Sequence, residues 1–505
     1  MTAASEPGPG GTTGGRRGWL VWSPPALLTL AITLAGIGRA QPWRDELATW
    51  SAATRPVGDL VRLAGTIDAA TGPYYLFLHG WTALLGASPA ALRLPSALAM
   101  AAAAGLTARL GERLVGPRGG LLAGLLFALL PGTARYGQEA RPYALATLLA
   151  VLATLLLVGA LRRPTWRRWT GYALAVAALG LTHLIALSLL AAHGLAVLLT
   201  AVRGPAAAGL QRVGARPTGS RRAAPSVGPA WGWVAALLPT ALLVGPLVLA
   251  ARAQRSRQLD WVHLVRPADL AALPVGVAQS AVVGGLLLGL AALGAVRLGR
   301  RALLPGAAVL LPVLLLFAAG ALVPLWVTRY LLFTVPFACL LAGAALPGVR
   351  LAPALAVVTL AGLLSLPDQA ALRRTHEWPR SVLVDYRGAA QVIAAHEQPG
   401  DAIAYSPRDS WLLLDLGMAY QLGSRLPRDA LVVQDQRQRA DLWADECDRP
   451  AECLAGVERL WLVVAGSRTD PLAAVPGEKG TALRDAFTVR QVWLRSGITV
   501  ALLTR

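Results

Sequence analysis

The sequence predicts an all-α polytopic membrane domain of about eleven transmembrane helices, within a range of ten to thirteen, followed by a C-terminal extracytoplasmic α/β domain. Three observations predict it. The 505 residues are 55% hydrophobic and only 15% charged. Apolar runs of near-spanning length recur as far as residue 366, with arginines gathered between them. Beyond residue 367 the runs shorten, and helix-like stretches alternate with strand-like ones.

The apolar segments are 20–38, 91–112, 119–134, 142–161, 169–183, 184–202, 231–251, 272–296, 302–322, 329–346 and 351–366. Two of them, within 172–202, need a tight turn near Thr182-His183 to separate. Residues 1–19 read as a disordered cytoplasmic tail, and the run after them lacks a small-residue cleavage site, so it reads as an uncleaved first span. The transmembrane domain would then occupy 20–366, with interfacial helices in an outer loop over 40–90, and the extracytoplasmic domain would occupy 367–505.

One further segment, Pro73 to about Leu85, is long enough either to cross or to lie in the interface. Arginine placement decides. With 74–88 in the interface, RRPTWRR at 162–168 and RLGR at 297–300 fall on the cytoplasmic side, as short basic loops do. With 74–88 spanning, both loops flip outward. The interfacial reading also puts Asp45, Glu46, Asp59, Asp68, Glu139, Asp260 and Asp269 on the outer side, together with the whole C-terminal domain.

In that domain DAIAY at 401–405, ALVV at 430–433, RLWLVVAG at 459–466 and ITVALL at 498–503 read as strands. Tyr386–Glu397, Ser410–Leu422 and Gln438–Cys447 read as helices. Cys447 and Cys453, in DECDRPAEC, sit where an oxidising compartment permits a local disulfide or leaves two free thiols. Cys339 lies in an apolar run and reads as packing.

The net charge of +20 raises nucleic acid as a partner. The arginines lie between apolar segments, where membrane topology puts them, so nucleic-acid binding is set aside. No Cys/His spacing supports structural zinc, and no internal repeat is apparent.

Charge beside a bilayer is costly unless it lies at the interface or lines a wet cavity, so it marks candidate function. QPWRDELATW at 41–50 follows the first span directly and carries Asp45 and Glu46; Trp43 and Trp50 read as headgroup anchors. The same outer face collects Asp68 and Tyr74 (GTIDAATGPYY), Arg93 (ALRLPSALA), Arg135, Glu139, Arg141 and Tyr143 (RYGQEARPY), His183, and Arg329-Tyr330 (WVTRYLLF). For each a blander reading stands beside the functional one: a solvated loop, an interfacial anchor, or a buried hydrogen-bonding histidine. Together, carboxylates and arginines at one membrane face suit a site that meets a phosphorylated lipid and a hydroxyl. Arginine grips phosphate bidentately, and a carboxylate can take a proton from an attacking hydroxyl. Asp45 and Glu139 are also hard oxygen donors that would suit Mg²⁺ or Mn²⁺, so a divalent cation stays open.

RDE at 44–46, GPYYLFLHGW at 72–81, LRLPSALA at 92–99, QEARPYAL at 138–145 and RYLLF at 329–333 resemble one family over residues 20–350. It is the polyprenyl-phosphate-dependent glycosyltransferases of the glycosyltransferase-C superfamily, in the branch related to protein O-mannosyltransferases and aminoarabinose lipid A transferases. The resemblance implies a multi-pass enzyme of the cell membrane that takes a sugar from a polyprenyl-phosphate donor. The acceptor is extracytoplasmic and is a protein, a lipid or a glycan. It implies that the acidic residue matching Asp45 acts as base, with Glu139 at the family's second acidic position. Glu46 is the alternative base. Asp68, Tyr74, Arg93, Arg135, Arg141, Tyr143, His183, Arg329 and Tyr330 are expected to bind substrate. The competing classes are a lipid-linked sugar flippase, which would carry charges near the bilayer midplane, and an inactive protein of envelope assembly.

Overall fold

The computed structural model describes residues 18–204, 210, 228–376 and 383–505. The tail expected over 1–19 therefore lies, up to residue 17, outside the described residues. Helix α1 (Trp19–Leu34) leads into three short helices, α2 (Arg44–Ala53), α3 (Val57–Thr66) and α4 (Gly72–Leu85). The bundle continues with α5 (Pro89–Leu114), α6 (Pro117–Leu129), the short α7 (Pro131–Gly137), α8 (Tyr143–Arg162), α9 (Trp166–Thr182) and α10 (Leu190–Arg203). After α11 (Pro229–Gln258) come the short α12 (Pro267–Ala271) and α13 (Leu273–Ala278). Then follow α14 (Ala281–Leu298), α15 (Leu303–Leu322), α16 (Val335–Ala344) and α17 (Leu351–Leu372).

All eleven apolar segments marked in the sequence are helical. Among the described residues six helical runs are long and apolar enough to cross a membrane, one of them being α14 and α15 end to end, and Trp19–Leu34, Pro117–Leu129 and Thr328–Ala344 are shorter apolar helices. This is a multi-pass membrane protein. Several boundaries follow from local chemistry. Pro89, Pro117, Pro131 and Pro229 open their helices, where a missing N–H costs nothing. Ser88 and Ser280 cap α5 and α14 by accepting bonds from Ala91 and Val283. The turn between α9 and α10 falls at His183, whose backbone is extended. Helices α5 and α6 touch through small residues: a Cβ on Gly111 would stand 2.6 Å from the Gly120 Cα.

Helix α4 is short and packs outside the bundle core. Its 14 residues span about 21 Å at 1.5 Å per residue, against a hydrocarbon core of about 30 Å. Its buried residues Tyr74, Tyr75 and Leu78 join Leu47, Leu60 and Leu63 of α2 and α3 in a core shared with the C-terminal domain, not with the bundle. Leu76, Phe77, Leu84 and Leu85 are left exposed.

The C-terminal domain comprises α18 (Tyr386–His396), β1 (Ala402–Ser406), α19 (Leu414–Leu422), β2 (Arg428–Asp429), β3 (Val432–Gln434), β4 (Asp445–Glu446), α20 (Pro450–Cys453), β5 (Arg459–Ala465), α21 (Gly477–Ala486), β6 (Thr488–Arg495) and β7 (Ile498–Thr504). Five strands form one sheet in the order β2-β1-β5-β7-β6, and β3 pairs with β4 separately. β1 runs parallel to β2 and β5, whereas β7 is antiparallel to β5 and β6. Central strand β5 is buried on both faces: Trp461 and Val463 point toward the shared core, and Leu460, Leu462 and Val464 toward a second core with Leu483 and Phe487.

Two readings of this domain are corrected. Residues 438–447 are not a helix. Asp435 accepts bonds from Arg437 N and Gln438 N, Asp441 accepts from Leu442 N, and Ala440 turns to positive φ. These side-chain bonds favour turns over helix. Helix α21 and the exposed strand β6 were not foreseen, because both are rich in charged and polar residues. Cys447 and Cys453 are disulfide-bonded, and Cys339 is fully buried in α16.

The domain and the loop 40–88 lie on the same face. Gln41 bonds Val384 O (2.5 Å) and Arg387 N (2.9 Å), Tyr420 bonds Ala87 O (3.1 Å), and Arg55 bonds Asp441 O (2.7 Å). The basic loops gather at the opposite end, where Arg162 bonds Arg113 O at 3.0 Å and Arg297 bonds Ala345 O.

Candidate functional site

Helix α2 begins the site. Two carboxylates in its first turn complement the helix dipole, and Glu46 reaches back to Trp43 N at 3.4 Å. Their side chains then diverge. Glu46 is buried and taken up on both oxygens. Oε1 accepts from Arg93 Nε (2.8 Å) and Ala140 N (2.9 Å), and Oε2 accepts from Arg93 Nη2 (2.6 Å). Burial works against its charge, but the Arg93 guanidinium and its bonds win and hold the carboxyl far below the usual range. Arg93 is completed by the carbonyls of Ile37, Ala40 and Gln41. The pair fastens α2, α5 and the loop after α7 together.

Asp45 points the other way. Its Oδ2 lies 3.3 Å from Arg329 Nη2, with the aspartate side chain 19% exposed, and that oxygen has no hydrogen-bond donor. Arg329 is fixed from every side: Nε donates to Tyr143 Oη at 3.0 Å, and the rings of Trp43, Trp261 and Tyr330 stand 5.5–5.9 Å from its guanidinium. Behind it Tyr143, His183 and Tyr330 pack ring against ring at 5.4–6.2 Å.

A narrow cavity of about 60 Å³ opens beside Arg329, lined also by Trp43, Arg135, Tyr136, Glu139, Gly276, Gln279 and Thr328. A Cβ on Gly276 would meet Thr328 at 2.3 Å, so this wall requires glycine. Glu139 is fully buried. Oε2 accepts from Arg135 at 2.8 Å, while Oε1 has no partner. Burial pushes its carboxyl up; Arg135 opposes, and Asp45 and Glu46 add to the rise. Arg135 also donates to His376 O at 2.6 Å.

Of the residues singled out in the sequence, Arg135, Glu139 and Arg329 line the cavity, and Asp45 borders it through Arg329. Tyr143, His183 and Tyr330 form the wall behind. Glu46 and Arg93 hold each other away from the cavity. Asp68 is occupied by Thr71 (2.9 Å), Tyr75 and Gln258, tying the start of α4 to α11. Arg141 bonds Tyr75 Oη (3.2 Å) and Thr49 Oγ1 (3.4 Å), and the Tyr74 hydroxyl is buried without a partner. Trp43 and Trp50 are not headgroup anchors. Trp43 is 1% exposed, with Arg135 and Arg329 against its ring, and Trp50 packs edge-on against Tyr420 at 5.1 Å.

Sequence reasoning did not find Trp261, Gln279 or His376, which reach the site only through distant chain segments; Thr328 lay in the marked stretch beside Arg329. Tyr136 lay within a motif already marked. His376 is buried 3.9 Å from Glu46; burial, with Arg135 and Arg93 nearby, pushes its imidazole down to about 3.

Asp45 and Glu139 each already face an arginine, and among the described residues no three His, Cys, Asp or Glu side chains come together in a metal-holding group.

A membrane bundle, an α/β domain on one face and a carboxylate–arginine site between them define the class: a multi-pass membrane protein of the ArnT fold. Over 96% of the chain it superposes on 98% of ArnT from Cupriavidus metallidurans in the apo state, with TM-score 0.60 at 13% identity. Against the same protein bound to undecaprenyl phosphate the TM-score is 0.58 at 14% identity, over 97% of this chain and 98% of that one. The family described as dolichyl-phosphate-mannose-protein mannosyltransferase matches residues 72–207, a stretch that contains Arg93, Arg135, Glu139 and Arg141. No curated protein matches the chain. The resemblance to the glycosyltransferase-C superfamily drawn from the motifs is upheld by the family match and the shared fold.

Proposed function

We propose that the chain is an integral membrane glycosyltransferase that moves a sugar from a polyprenyl-phosphate donor to an extracytoplasmic acceptor, with inversion, in the synthesis of envelope glycan, glycolipid or glycoprotein. About eleven crossings give the loop 40–88 and the α/β domain one side, and the basic loops at 162–168 and 297–300 support that side being extracytoplasmic. The observation that carries the reading is the carboxylate of Asp45 facing Arg329 at 3.3 Å beside a cavity rich in arginine.

In this mechanism Asp45 takes the proton of the acceptor hydroxyl, and the oxygen attacks the anomeric carbon as the bond to the phosphate oxygen breaks. One displacement inverts that carbon; retention would require a second, nucleophilic carboxylate. Charge develops on the departing polyprenyl phosphate, and Arg329 and Arg135 are fixed in advance to receive it. Glu139 holds Arg135 in place. Glu46, locked to Arg93, positions the helix turn that carries Asp45.

The test uses the purified chain in proteoliposomes with a panel of radiolabelled undecaprenyl-phosphate sugars and an envelope extract as acceptor. Chain-dependent transfer of label from one donor, with release of undecaprenyl phosphate, is expected. Movement of intact donor across the bilayer without release would replace this reading with lipid-linked sugar transport.

A further inference from the structure

A cleft of about 530 Å³ lies where the α/β domain meets α2 and the end of α11, within the about 300–1,000 Å³ that small-molecule sites occupy. Its walls include Arg44, Arg257, Asp260, Trp411, Arg439 and Trp443. It is distinct from the narrow cavity beside Glu139, yet it is joined to the Asp45–Arg329 pair twice over. Arg44 lines the cleft and the next residue, Asp45, faces Arg329. Asp260 lines the cleft and the next residue, Trp261, lies 5.5 Å from the Arg329 guanidinium. The cleft therefore borders the turn of chain that carries Asp45.

The lining is built, not incidental. Trp411 and Trp443 meet edge to face with centroids 4.7 Å apart. Trp443 is 8% exposed and anchored by its Nε1 on Ser410 O at 2.9 Å, whereas Trp411 is half-buried and donates to Asp260 Oδ1 at 3.3 Å. Arg439 is pinned by Asp445 at 2.7 Å and Arg257 by Asp441. Asp409 adds an exposed carboxylate. A fixed aromatic ring flanked by oriented guanidinium and carboxylate groups matches a sugar, which is apolar on its ring face and carries hydroxyls around its edge. A lipid tail would want an apolar lining, and an extended peptide would want a free strand edge; the cleft offers neither.

We infer that this cleft binds the carbohydrate part of the acceptor. It holds the sugar units that precede the one whose hydroxyl meets Asp45. The assignment of Asp45 rests on the function proposed above; the binding of sugar in the cleft can be tested without it.

The full chain in nanodiscs is titrated calorimetrically with mannotetraose, arabinotetraose and maltotetraose, and with a neutral tetrapeptide, in the absence of donor. At least one tetrasaccharide is expected to bind. Trp411→Ala should weaken it about tenfold or more, as loss of a central aromatic contact does. Asp409→Ala, at an exposed position that folding does not depend on, should weaken it severalfold. No binding by any tetrasaccharide, unchanged affinity in both variants, or binding of the peptide alone would overturn the inference. Binding here is read without donor and transfer by Asp45→Asn is read with it, so a failure of the base assignment and a failure of the sugar site give different results.

Discussion

Glu46 and Arg93 form a closed, two-point ion pair, Nε to Oε1 at 2.8 Å and Nη2 to Oε2 at 2.6 Å, with both side chains 1% exposed. The adjacent Asp45 has a single arginine, at 3.3 Å. Two neighbouring acids are thereby divided: one builds the site and the other faces it.

Glu46→Gln should therefore be a stability variant first. Removing one partner of a buried pair leaves a charge uncompensated and costs about 3 kcal/mol or more. Because the folded-state pKa of Glu46 is depressed, its contribution is fully present above the ordinary value of 4.5 and is lost as pH falls below it. Melting of the two proteins in detergent should differ most near neutrality and converge in acid. A difference that widens on acidification would contradict the assignment.

Glu139 should show the opposite slope. Its folded-state pKa is raised, so whatever stability it contributes is present below 4.5 and is lost as pH rises through the folded value. The melting temperature of Glu139→Gln, minus that of the unaltered chain, should rise from pH 4.5 toward neutrality. A flat or falling difference would show that Arg135 neutralises the burial cost.

Much of this was legible in the sequence, and the reasons are physical. Apolar runs and basic loops report the solvent each segment meets, so the helical bundle could be read from the sequence. The central strands β5 and β7 are continuous apolar runs and were equally plain. Strand β6 and α21 were not, because their polar faces carry no period that distinguishes them from loop. Within the site, adjacency misled: Asp45 and Glu46 look equivalent until Arg93 and Arg329, from distant helices, separate them. Trp43 reads as an interfacial anchor in isolation, and only the arrival of two arginines reveals a buried wall.

Arg329→Lys should lower transfer about 10²–10³-fold, the effect of removing one oriented donor at a developing charge. Lysine keeps the charge but loses the bond from Nε to Tyr143 and the planar contact with Trp43 and Trp261. The initial rate of polyprenyl-phosphate release measures it. Near-normal turnover in this variant would move the leaving-group role to Arg135.

The Cys447–Cys453 disulfide reports topology. In intact cells a membrane-impermeant maleimide should label these cysteines only after treatment with an impermeant reductant, and reduction should cost about 2 kcal/mol, as expected for so short a loop. Labelling that needs permeabilised cells would place the domain on the cytoplasmic side and reverse the face assigned to the site.

If Asp45 takes the acceptor's proton, replacing it by asparagine slows the transfer step itself. Single-turnover transfer from the preferred polyprenyl-phosphate sugar by Asp45→Asn, in protein that melts like the unaltered chain and still binds donor, tests it most directly. A loss of about 10²–10⁴-fold is expected, the usual contribution of a positioned general base. Transfer by Asp45→Asn at the unaltered rate would contradict it.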